Sequence, residues 1–168
     1  MREPLTAEDE AIVTAQLQRP PRGVAGVAVR CPCGKPSVVA TVPRLADGTP
    51  FPTTYYLTCP RATSACSTLE SQGVMAAMTA RLQTDADLAA AYRGAHEAYL
   101  ADRAELGEVP EIAGVSAGGM PDRVKCLHVL AAHSLAAGPG VNPLGDETLA
   151  ALGDFWQRPC LDEAGERP

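Results

Sequence analysis

Apolar positions follow a strand-like pattern between residues 24 and 60 and a helical one on either side. Thr6 can cap a short amphipathic helix to about Gln18, with Glu8, Asp9 and Glu10 suited to its positive end. Arg19-Pro-Pro-Arg-Gly23 stops it. Three segments rich in Val, Thr and Tyr follow, Val24–Cys31, Ser37–Val42 and Thr54–Cys59, and read as strands. Cys31-Pro-Cys-Gly-Lys-Pro36 reads as the first turn, and Asp47-Gly48 sits in a longer second connection. Together they predict a small antiparallel meander.

After Pro60 the pattern turns helical. Ser64–Gln72 ends at Gly73, a second piece runs through Leu82, and Thr84 opens a longer helix to Leu106, closed by Gly107. Leu88, Tyr92, Ala95, Tyr99 and Leu106 trace its buried stripe, with His96 at the boundary. Glu108–Gly119 is a loop, and Pro121 suits the first turn of a helix continuing to about Ala137. A short helix over Gly145–Leu152 comes last, and Trp156 is expected to pack against it.

These elements predict an α+β fold, a small N-terminal antiparallel sheet of about three strands packed with several helices in a single domain. Within residues 1–168 the parts are an N-terminal helix (1–20), a β-meander (24–60), a helical part (62–153) and a partly mobile tail (154–168).

At 46% hydrophobic and 20% charged residues the chain has a globular composition. Aromatic residues make up only 4%, so the core must rest largely on Ala, Val and Leu. Two lysines stand against twelve arginines, a bias typical of a high-GC bacterial genome. The net charge of −6 argues against duplex nucleic acid as a partner. The acidic N-terminus lacks the apolar core of a signal peptide, and no apolar run reaches transmembrane length. A cytoplasmic protein away from the membrane is the expectation. Six cysteines in a reducing compartment then suggest metal, redox or buried-thiol roles over a disulfide framework.

Three chemistries compete. Cys31, Cys33 and Cys59 fall at a turn and a strand end of one meander, and Cys126 or a neighbouring histidine can arrive from the helix to complete four soft ligands for zinc. The spacing is not a standard zinc signature, and the same thiols also fit inert packing. On a regular helix Cys126 and His128 point about 160° apart, so they hold one metal only if the helix begins after them. Second, Cys126 near a helix start, beside Lys125 and Arg123, suits a stabilised thiolate. Third, Ser116, Gly118 and Gly119 with Lys125 can bind a small anion such as a phosphate, although no Gly-Lys-Ser/Thr follows the glycines. Gly114-Val-Ser-Ala-Gly118 also matches a nucleophile-elbow pattern, but a loop precedes it where that motif needs a strand.

Arg30-Cys-Pro-Cys-Gly-Lys-Pro36, Gly48-Thr-Pro-Phe-Pro-Thr53, Leu57-Thr-Cys-Pro60, Val124-Lys-Cys-Leu-His128 and Asn142-Pro-Leu-Gly145 occur in this order. The series resembles the bacterial domain-of-unknown-function family 501, its actinobacterial branch especially, over about residues 24–150. The resemblance implies no established activity. It maps the motif thiols onto Cys31, Cys59 and Cys126 and the imidazole onto His128, a zinc-type set, and leaves Cys33, Cys66 and Cys160 outside. Family genes lie near those for a septum-formation coiled-coil protein and an exopolyphosphatase. That proximity suggests a division-associated protein or a small anionic ligand as partner, with the 84–106 helix or Phe155 and Trp156 as a surface.

Overall fold

The strand Pro36–Thr41 is buried at all six positions, as its Val38-Val39-Ala40 run requires of a strand covered on both faces. In the computed structural model, which describes residues 2–167, it is the middle strand β2 of an antiparallel sheet. The order is β1 (Val24–Arg30), β2, β3 (Tyr55–Leu57). Val27 faces Val39 across the first pair, and Val38 faces Leu57 across the second. Glu3 exchanges both backbone hydrogen bonds with Val27 at 2.9 Å, covering part of the outer edge of β1. The meander therefore forms as expected.

Helix α1 (Ala7–Leu17) lies against β2, where Gln16 donates to the Pro36 carbonyl at 2.7 Å. Thr6 and Asp9 close a capping box at its start. Asp9 is buried, and its carboxylate takes two hydrogen bonds from the Arg30 guanidinium, at 2.8 and 3.1 Å. That pairing outweighs burial and lowers the Asp9 pKa to about 2.

The helices α2 (Pro60–Ser71), α3 (Val74–Leu82), α4 (Ala86–Ala104), α5 (Leu127–Ala137) and α6 (Pro143–Leu152) form the rest, and the α+β class stands. No described helix is long and apolar enough to cross a membrane. Helix α5 packs on β3, α2 and α6, and buries Leu127, Leu130, Ala131, Ala132, His133 and Ser134. Tyr92, Ala95 and Tyr99 are the fully buried stripe of α4, and the Tyr99 hydroxyl accepts the Thr54 N–H at 2.6 Å. His133 lies between Tyr55 and Tyr99, stacked on one ring and edge-on to the other. Burial lowers its pKa to about 4, so the ring is neutral, and Nδ1 accepts from the Asn142 amide at 3.2 Å.

Two local expectations are corrected. The helix expected from Pro121 begins only at Leu127. The amides before it are used elsewhere: Lys125 donates to the Gly118 carbonyl at 2.7 Å and Val124 to the Thr79 hydroxyl at 3.0 Å. Trp156, expected against the preceding helix, is 42% exposed and touches Phe155 edge-on.

Asn142 caps α6 by accepting the Gly145 N–H at 3.0 Å, which sets Gly145 against α5. A Cβ at Gly145 would collide with the Leu130 carbonyl and the Ser134 hydroxyl. Gly145→Ala should therefore cost about 2–3 kcal/mol and lower Tm by roughly 5–10 °C. Gly94→Ala, where a Cβ meets open space in α4, should hold or raise Tm in the same calorimetric comparison. Equal effects of the two substitutions would refute the close crossing.

The depressed Asp9 pKa makes a second test. Its folded value lies below the ordinary 3.8, so its contribution is present above that pH and lost as pH falls through about 2. Urea unfolding of the wild type and Asp9→Asn should show stabilities that converge across this window. Parallel curves would sink the assignment.

Candidate functional site

Cysteines from the first turn, the start of α2 and the segment around residue 160 gather around the Cys160 sulfur. Cys31 closes the β1–β2 turn, accepting the Gly34 N–H and donating to the Lys35 carbonyl through the backbone. This turn carries Cys33 beside it. The Cys160 Sγ lies 3.5 Å from the Cys33 Sγ and 3.3 Å from the Cys59 Sγ. The Sγ atoms of Cys31, Cys33 and Cys160 all lie within 4.8 Å of one another. Arg61 holds the incoming tail by donating to the Pro159 carbonyl at 2.8 Å.

The environment favours the thiolate at Cys59 and Cys33. Cys59 is the N-cap of α2, and its pKa is lowered by hydrogen bonding from the Cys160 thiol, assisted by the Ala62 and Arg61 backbone amides. Cys160, as the donor in that contact, is pushed up. Burial raises Cys31, while backbone contacts from Cys160 and Lys35 bring Cys33 down despite its burial. A zinc–thiolate bond of about 2.3 Å implies sulfur–sulfur edges of about 3.8 Å in a tetrahedron. The Cys160–Cys59 and Cys160–Cys33 separations of 3.3 and 3.5 Å are near that spacing, whereas Cys59 lies outside the mutually close set of Cys31, Cys33 and Cys160.

A second group forms between α2 and α5. Cys126 is the N-cap of α5 with extended backbone (φ −155°, ψ 113°), which turns its Sγ to within 3.8 Å of the His128 Nδ1. The opposed directions of a regular helix do not apply, because α5 starts after Cys126. Glu70, in the last turn of α2, places Oε1 at 3.1 Å from the same Nδ1 and accepts the Leu127 N–H at 2.8 Å. On the far side of the ring, Nε2 donates to the Thr63 carbonyl at 3.1 Å, with the Ser67 hydroxyl at 3.4 Å. The Cys126 thiol, together with Glu70, raises the His128 pKa to about 9 against the effect of burial. Cys66, fully buried nearby, is pushed up to about 12 by desolvation and reads as a packed thiol.

The sequence-derived ligands therefore fall in two places. Cys31 and Cys59 both approach Cys160 in the thiol cluster, and Cys126 and His128 meet beside Glu70. Glu70 lies eleven residues beyond Cys59 in the α2 sequence, roughly 16 Å along a regular helix. Cys33 and Cys160, set aside by the motif comparison, belong to the thiol cluster, and Glu70 carried no signal in the sequence. Its partners are 56 to 58 residues away and only the fold brings them near.

The anion-binding candidates are arranged differently. Ser116 is buried, with its hydroxyl 2.8 Å from the His96 Nδ1 and 3.3 Å from the Met120 carbonyl. Gly118 and Gly119 both have positive φ, and a Cβ at Gly119 would run into the Arg123 carbonyl and the Lys125 amide. Lys125 itself is exposed. These glycines thus have a packing reason, with Ser116 turned inward and Lys125 outward.

The family described as "Protein of unknown function (DUF501)" matches residues 27–150. The chain belongs to the DUF501 family. Cys31, Cys33, Cys59, Glu70, Cys126 and His128 of this DUF501 member all lie within the matched span, whereas Cys160 lies beyond it. No curated protein and no solved structure matches the chain.

Proposed function

We propose that this DUF501 protein binds zinc, with Cys31, Cys33, Cys59 and Cys160 holding one ion as a structural centre. The carrying observation is the approach of thiols from a turn, a helix cap and the segment at residue 160: Cys31, Cys33 and Cys160 lie within 4.8 Å of one another, and Cys59 lies 3.3 Å from Cys160. Four soft donors with no place left for solvent make the closed, structural type of site. Zinc there cross-links residue 160 to residues 31–33 and 59, stapling the tail across the sheet turn and α2. The Arg61 cation and the α2 amides offset part of the charge of a tetrathiolate centre.

A small domain poor in aromatic residues gains from such a staple. The phosphate-type reading has less support, since Ser116 and Lys125 face different ways. A cytoplasmic setting, where thiols stay reduced, agrees with a metal in place of disulfides.

Elemental analysis of the full chain, purified untagged and without chelators, tests this. Cys160→Ser and Cys31→Ser should each contain one zinc equivalent fewer than the wild type. Each should also lose at least about 5 °C of Tm, since 1 kcal/mol moves a domain of this size by about 2–4 °C. Unchanged zinc content in both variants would overturn the reading.

A further inference from the structure

We propose that Glu70, Cys126 and His128 form a second metal site, of the open three-ligand kind, which takes a zinc-class divalent cation and presents it to the neighbouring cavity. The site is independent of the thiol centre and shares no ligand with it.

The first argument is the donor set. A carboxylate, a thiol and an imidazole offer ligand atoms that all lie within 4.8 Å of one another. The Sγ–Nδ1 and Nδ1–Oε1 separations are 3.8 and 3.1 Å. Metal–ligand bonds of about 2.0–2.3 Å give tetrahedral edges of about 3.3–3.7 Å, so the observed triangle needs little adjustment to accept an ion.

The second argument is the orientation of the ring. The Thr63 carbonyl can only accept, so Nε2 carries hydrogen. In the neutral imidazole the Nδ1 lone pair then points toward the Glu70 carboxylate and the Cys126 sulfur. Three electron-rich atoms converging on one point need a cation between them, which is a proton on Nδ1 in the imidazolium and a metal ion once the ring gives that proton up. Donation of the other ring N–H to a backbone carbonyl is also the outer contact that orients histidine ligands of metals. The Leu127 N–H similarly fixes the Glu70 oxygen at 2.8 Å.

The third argument is access. Cys126 and His128 line a cavity of about 400 Å³ whose other walls include Tyr55, Tyr56, Leu57 and Val129. Three protein donors leave a coordination position for water or a ligand, which is how catalytic zinc sites differ from structural ones. Such an ion can polarise a carbonyl or ionise a bound water. The lining suits a small, largely apolar molecule bearing one carbonyl-type or anionic group.

Zinc stoichiometry of the full chain is the test, read on wild type, His128→Gln, Glu70→Gln and Cys160→Ser. The wild type should hold two ions. His128→Gln should hold one and keep the thiol-centre ion. Glu70→Gln, a near-isosteric change that can keep the Leu127 contact, should bind the second zinc at least about tenfold more weakly. Cys160→Ser reports separately on the thiol centre, so failure of either site is visible on its own. Zinc should also protect Cys126 from iodoacetamide. Full zinc content in both His128→Gln and Glu70→Gln would overturn the proposal. So would a wild-type chain in which added zinc leaves Cys126 alkylation unchanged, which would leave the triangle held by a proton as a thiolate–imidazolium pair.

Discussion

The burial of α5 on nearly every side is the constraint on which the rest of the structure depends. Its sequence, Leu127-His-Val-Leu-Ala-Ala-His-Ser-Leu-Ala-Ala137, has no narrow apolar stripe, and a helix of that kind belongs inside. To surround it the chain must bring β3, α2 and α6 onto different faces. The α6 contact closes only because Gly145 has no side chain, and the buried His133 is admitted only as a neutral ring between two tyrosines. With α5 so enclosed, its first residues have little freedom. Cys126 and His128 are therefore presented at a defined place, against Glu70 of α2.

The thiol cluster follows a different logic. The sheet is small, and few aromatic residues are available to cover it. Cys160 and Leu161 are buried nonetheless, in a tail that passes Arg61 and reaches Cys59. The Cys160 sulfur meets Cys31 and Cys33 of the turn and Cys59 of α2, which joins this segment to both elements. The Cys160 contact and the helix cap at Cys59 make that thiol easier to ionise.

Much of the fold was legible in the sequence because local signals agreed with the tertiary arrangement. Val, Thr and Tyr runs separated by Gly and Pro turns marked the strands, and the Tyr92–Ala95–Tyr99 spacing marked the buried side of α4. The start of α5 was not legible. Pro121 fits a first helical turn locally, but Val124 and Lys125 find partners at Thr79 and Gly118, choices made by the tertiary structure. That shift of six residues decides the chemistry, because it frees Cys126 to adopt extended backbone and approach His128. Cys31, Cys59, Cys126 and His128 were all recognisable as ligand types, yet their division between two places was not. The grouping depends on Cys160 and Glu70, each of which is isolated along the chain from its partners.

Helix electrostatics explain why the two places differ. The thiol cluster touches the N-terminal end of α2, where backbone amides favour negative charge and a crowded thiolate group is tolerable. Glu70 occupies the last turn of the same helix, where a carboxylate is disfavoured. Two things offset that penalty: the Leu127 amide at the positive end of α5, and whatever cation occupies the space beside Nδ1 of His128. A proton there gives an imidazolium, consistent with the raised His128 pKa of about 9, while a metal takes the same position with a further partner in the Cys126 sulfur. Either occupant neutralises a carboxylate at the wrong end of a helix. With either occupant, the Cys126 thiol and the His128 ring face the same cavity.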